Sequence, residues 1–148
     1  MTLREDAETI MQKAIRASLP DAAVAKALEH KEFGTGKIVV VAIGKAAWQM
    51  AKTAVGILDG RISAGIVITK YGHSKGELAP LEIWEAGHPV PDENSLKATQ
   101  RAIELVRDLT ERDTVLFLIS GGGSALFEKP LISLKELQDI TSDLLASG

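Results

Sequence analysis

Apolar residues along the chain alternate between helical spacing and short unbroken β-branched runs, and the switches between the two outline the fold. Between Leu3 and Leu28, Ile10, Ala14, Ile15, Leu19, Val24 and Leu28 recur at helical spacing. Pro20 interrupts this stretch because it has no N–H to donate, and Asp21 is suited to cap a restart, so two helices are predicted. A turn cluster at 32–36 precedes a nearly all-apolar, β-branched run at 37–43, the pattern of a central parallel strand covered on both faces. Gly44 ends that strand, and 45–55 holds strong helix formers with Ala47, Met50, Ala51 and Ala54 on one face. Further strands are predicted at 64–69 and 81–86, joined by a polar surface loop at 70–76. Residues 87–95 carry Pro89 and Pro91 and read as an extended turn ending in an N-cap at Asn94 or Ser95. A helix at 96–109 directs Ala98, Ile103, Leu105, Val106 and Leu109 inward, and a strand runs from Thr114 to Ser120. A last helix starts at Ser133, which forms a capping-box pattern with Glu136. Strands alternating with helices predict an α/β fold, a parallel sheet with helices on both faces.

Composition narrows the function classes. With 148 residues, 45% hydrophobic and 25% charged, the chain matches one ordinary globular domain. A net charge of −3 and a pI near 5.6 argue against nucleic acid as a partner, while leaving room for a local positive site that takes a small phosphorylated ligand. The absence of cysteine removes disulfides, thiolate metal sites and a cysteine nucleophile, and makes the cytoplasm the default expectation. No apolar run reaches the roughly 20 residues that span a bilayer, so no membrane partner is expected. The helix-period segment at 139–146 is followed by no further strand, which suggests a domain that is unfinished at Gly148.

The chemistry concentrates after the strands. Gly121, Gly122 and Gly123 follow the strand at 114–120 directly, and consecutive glycines expose backbone N–H groups that can form a nest for phosphate or an oxyanion. In open parallel sheets ligands bind beyond the carboxyl ends of the strands, which groups Gly44 and Lys45, His88, and Ser120 to Ser124 on one rim. The helices starting near Lys45 and after the glycine triplet would point their positive ends at an anion there. Lys45, a cation at a helix start, is unfavourably placed unless an anion compensates it, and an ammonium suits a transferring phosphoryl group. The Walker A pattern fails because Ala46 replaces the required Ser or Thr. The dinucleotide fingerprint fails because one glycine follows the first strand and Lys70 and Tyr71 stand after the second instead of an acid. Ser124 lacks the second glycine of a nucleophile elbow, since Leu126 occupies that place. His88 shares a loop with Asp92 and Glu93 and is a candidate ligand contact or general base, the alternative being a hydrogen-bonded turn histidine. His30 and His73 have no companion at metal-ligand spacing and read as solvent-facing, and Trp48 and Trp84 as packing residues.

Four segments, starting at Gly44 (44–51), Thr69 (69–73), Glu85 (85–95) and Leu118 (118–125), resemble in order and spacing the amino-terminal part of the type II glycerate 2-kinase family. Members of that family are often labelled hydroxypyruvate reductase. The resemblance implies a Rossmann-like, three-layer domain with a mostly parallel sheet, truncated relative to longer family members. It also implies phosphorylation of glycerate at its 2-hydroxyl with ATP and Mg2+. By this likeness Lys45 is the catalytic lysine, Ser120, Gly121, Gly122, Gly123 and Ser124 form the phosphate-site loop, and Gly44, His88 and Asp92 border the substrate cleft. A second catalytic group, an arginine, is expected beyond Gly148. Two other readings stand beside this one: a hydroxypyruvate reductase using a nicotinamide cofactor, and an isolated anion-binding module.

Overall fold

A computed structural model describes residues 2–148. Its order is α1 (Leu3–Ser18), α2 (Asp21–Leu28), β1 (Ile38–Ile43), α3 (Ala47–Leu58), β2 (Ile62–Lys70), β3 (Leu81–Ala86), α4 (Glu93–Val106), β4 (Thr114–Ile119), α5 (Gly123–Leu126) and α6 (Leu134–Ala146). The four strands form one sheet in the order β3-β2-β1-β4, and every pairing is parallel. All four carboxyl ends therefore open on one rim.

The central position of β1 follows from its composition: all six residues are buried, as a strand with neighbours on both edges and cover on both faces requires. Its side chains alternate between two cores. Ile38, Val40 and Ala42 pack under α2 and α3 with Trp48, Ala51 and Val67, while Val41 and Ile43 pack under α4 and α5 with Ile68, Ala98 and Leu126. The three layers are thus built from the period-two pattern of the strands. Each wholly buried Val or Ile contributes about 1.5–3 kcal/mol, so stability is concentrated in β1 and β2.

Several boundaries differ from the sequence reading. The helix after Gly44 begins at Ala47, because residues 44–46 form a separate turn. Asp92, not Asn94 or Ser95, caps α4: its carboxylate accepts the Ser95 N–H at 3.0 Å, and Ser95 Oγ accepts the Asp92 N–H at 3.1 Å. Asp21 does not cap α2; its carboxylate instead accepts from Gln49 at 2.6 Å, tying α2 to α3. The helix after the glycine triplet is a single turn, so its macrodipole is slight and its contribution to a ligand lies in its individual N–H groups. In α4 the inward contacts are Ala98 and Ala102 with Leu105 and Val106 at the margin, and Leu109 falls beyond the helix end. The Ser133–Glu136 capping box starts α6 as read from the sequence.

β4 is one of the two edge strands, with β3 at the other edge, and Phe117 and Ile119 on β4 are 50% and 68% exposed. Neither α1 nor α6 has a buried residue. Among the described residues no helix is long and apolar enough to cross a membrane.

Candidate active site at the carboxyl rim

The turn leaving β1 and the turn leaving β4 are joined into one unit. Gly44 is buried with φ +111°, and a Cβ there would run into Ser120, so only glycine lets the two turns pass at this distance. The Lys45 N–H donates to Gly121 O at 3.0 Å, and the Ala46 N–H donates to Ser120 Oγ at 3.0 Å. Ser120 Oγ in turn lies 3.3 Å from Ile43 O, to which it donates. The Ser120 hydroxyl is thus occupied in holding the rim together, and the exposed Ser124 is the hydroxyl left at the mouth.

Beyond Ser120 the chain turns through Gly122 at φ +86°, a left-handed conformation that L residues adopt only at a cost. Among the described residues the N–H groups of Gly121, Gly122, Gly123 and Ser124 find no acceptor within the chain, which leaves them available to a ligand. A Cβ on Gly122 would stand 2.6 Å from His88 Nε2 and 3.4 Å from Lys45 Cε. The glycine loop, the lysine and the histidine therefore converge on one point. Beside them a cavity of about 400 Å3 is lined by the loop together with Ile43, Ile119 and Phe127.

His88 lies on the turn between β3 and α4, and the sequence reading places it on the correct rim. Burial makes its imidazole harder to protonate than usual, and the nearby Lys45 and Lys70 add to this. Among the described residues neither lysine forms an ion pair, so the site carries positive charge without a protein counterion. Asp92 shares the loop but is engaged elsewhere. Tyr71 OH donates to its Oδ2 at 2.6 Å, and Ser95 donates to its Oδ1. Burial pulls the Asp92 carboxyl upward, but the hydrogen bonds from Tyr71, Gly87 and Ser95 outweigh this and hold it below its usual value. The same bond to Asp92 raises Tyr71, with burial adding to the effect. Asn94 Nδ2 donates to Tyr71 OH at 2.9 Å and closes the network.

Lys70, Tyr71 and His73 are rim residues to which the sequence reading gave no site role: Lys70 and Tyr71 counted against a dinucleotide site, His73 read as solvent-facing, and all three lie in a segment of the family resemblance. Their signal was available: Lys70 ends β2 and Tyr71 and His73 follow it, at the same end of the sheet as Gly44. His73 is exposed, as expected, yet its Nδ1 lies 3.1 Å from Lys45 O, so it also braces the turn that carries the lysine. Trp48 is buried under the sheet and its Nε1 donates to Gly76 O at 2.8 Å, in keeping with a packing role.

Mg2+ needs oxygen ligands, and the rim offers it little. Among the described residues no three His, Asp or Glu side chains gather to hold a metal ion, and the carboxylate of the cleft loop, Asp92, already accepts from Tyr71 and Ser95. The residues of this rim do not fit a protein-held Mg2+ site.

Known proteins share this arrangement of sheet and loops. A D-glycerate 2-kinase from Thermotoga maritima is 53% identical over 149 residues, which cover 99% of this chain and 35% of that protein. A relative from Agrobacterium vitis with a provisional hydroxypyruvate reductase name is 37% identical, covering 100% of this chain and 34% of its own length. The crystal structure of a glycerate kinase from Thermotoga maritima superposes with a TM-score of 0.85 at 53% identity, over 99% of this chain and 35% of that one. The chain thus spans about a third of the length of these relatives and corresponds to an amino-terminal part of them. The family described as a domain of unknown function (DUF4147) matches residues 6–148, and the chain belongs to that family.

Proposed function

We propose that this chain is the phosphoryl-binding, amino-terminal portion of an enzyme that transfers the γ-phosphoryl group of ATP to the 2-hydroxyl of glycerate. The observation that carries the reading is the convergence of Lys45 and His88 on Gly122, beside four backbone N–H groups with no acceptor among the described residues. The loop N–H groups would hold phosphate oxygens by hydrogen bonds that need no reorganisation during reaction, and Lys45 would lie against the group being transferred. The glycerate hydroxyl oxygen forms a bond to the γ-phosphorus, the bond from that phosphorus to the bridging oxygen of ADP breaks, and the hydroxyl proton is released to the medium. Charge spreads over the transferring oxygens in such a step, and a fixed ammonium stabilises it. Mg2+ would be held chiefly by the nucleotide and by parts of the longer protein, and no step here depends on it. The names of the relatives support glycerate as the acceptor.

The test replaces the matching third of the Thermotoga maritima enzyme with this chain, in parallel with its Lys45→Ala variant. ATP-dependent phosphoglycerate formation is expected from the first, and a loss of about 100- to 1,000-fold in turnover from the second at an unchanged melting temperature. Equal turnover would remove Lys45 from the mechanism. Consumption of reduced nicotinamide with hydroxypyruvate in the absence of ATP would favour the reductase reading instead.

A further inference from the structure

The second cation of the site differs from the first, because an imidazole gains and loses its charge near neutral pH whereas an ammonium does not. His88 Nε2 lies against Gly122 on the side where Lys45 Cε also approaches, so any anion seated on the glycine loop meets both side chains. The groups that face His88 are cationic or neutral: Lys45 from the turn after β1, Lys70 from the end of β2, His73 from the turn that follows, and no titratable side chain from the glycine loop itself. The two nearby carboxylates are turned away. Asp92 accepts from Tyr71 and Ser95, and Glu85 accepts the Ser74 N–H at 2.9 Å. Among the described residues nothing therefore supplies the negative charge that would hold a proton on this ring.

We propose that His88 is a proton-linked ligand residue: a tetrahedral dianion of the phosphoryl type, bound between Gly122 and Lys45, draws a proton onto His88 Nε2, so that anion and proton bind together. The inference rests on the phosphoryl-site reading above and adds to it that the charge of the site is completed by its ligand. The doubly protonated ring then donates to the anion through Nε2 and adds a positive charge beside it. Two anionic oxygens near the ring outweigh the repulsion from Lys45 and Lys70, and the bound state holds one more proton than the free protein. By linkage, affinity for the dianion falls as pH rises through the midpoint of the liganded ring.

The experiment uses the 148-residue chain and sulfate, which keeps both negative charges across the whole titration and so adds no protonation of its own. Proton NMR follows the three histidines, with His30, exposed and remote, as internal reference. Saturating sulfate is expected to shift the Gly121–Gly123 amides and to raise the His88 midpoint by about one pH unit, equivalent to about tenfold weaker sulfate binding above the raised midpoint than below the midpoint of the free ring. In His88→Gln the same binding is expected to lose its pH dependence while the loop amides still shift. If sulfate shifts the loop amides but leaves the His88 midpoint in place, or moves His73 instead, the proton linkage is overturned and the phosphoryl site stands. If sulfate perturbs neither loop nor histidine, the site reading itself falls and the proposal with it. D-glycerate provides the second arm, and a rise in the midpoint with glycerate but not with sulfate would overturn the assignment to a phosphoryl-type group.

Discussion

Gly122→Ala separates backbone from side-chain effects at the rim, because its neighbour Gly121 provides a control one residue away. At Gly122 the backbone stands at φ +86°, and a methyl group there costs about 1–2 kcal/mol in the left-handed region. The added Cβ would also lie 2.6 Å from His88 Nε2, a contact the ring can escape only by swinging away from the loop. That movement is cheap in stability, since the clash is with the end of a side chain, but it would take the ring away from an anion seated on the loop. At Gly121 a Cβ meets nothing within 4 Å and φ is not positive, so Gly121→Ala should stay within about 0.5 kcal/mol of the parent. For a chain of this size the difference corresponds to a melting temperature about 3–6 °C lower for Gly122→Ala than for Gly121→Ala. Thermal melts by circular dichroism measure it, and sulfate titration of both variants measures the site. The reasoning is refuted if the two variants melt within a degree of each other, or if Gly122→Ala binds sulfate as the parent does.

Three further outcomes follow from the geometry. The chain has one tyrosine, so tyrosinate absorbance reads Tyr71 alone; Asp92→Asn should bring its raised pKa back toward 10.0, and an unchanged titration would contradict the Tyr71–Asp92 bond. Ser120→Ala should cost about 1–2 kcal/mol by denaturant midpoint, because it leaves the Ala46 N–H without its acceptor, and a neutral result would mean that another group takes over. Glu82, Asp92, Asp113 and Glu136 all have carboxyl pKa values lowered from 4.5 for Glu or 3.8 for Asp, chiefly by hydrogen bonds from Arg101, from Tyr71, Gly87 and Ser95 against the opposing pull of burial, from Thr110 and Lys37, and from Ser133, respectively. Folded values below unfolded ones give stability that is complete above the ordinary values and lost as pH falls through the lowered ones; urea midpoints at descending pH should drop over that window, and a flat profile would oppose the assignment.

Much of the fold was legible because strong patterns coincided. The run at 38–43 could satisfy its side chains only between two helical layers, and Ser133 with Glu136 stated the start of α6 in four residues. The start of α4 was ambiguous because Asp92, Asn94 and Ser95 are all good caps. What decides it is the wholly buried Ser95, which can reach back only to Asp92. The turn after β1 was misread as helix because Lys45 and Ala46 favour helix locally, whereas their N–H groups are taken by Gly121 and Ser120, 76 and 74 residues further on. The rim itself followed from strand polarity. The approach of His88 to Gly122 did not, since it depends on how two loops with no shared sequence signal lie in space.

One hydroxyl group, on Ser120, ties the exit of β1 to the exit of β4. Anyone grafting this glycine loop into another parallel sheet would have to carry both strands and the intervening hydrogen bonds as a single cassette. Moved alone, the triplet would arrive as a slack hinge.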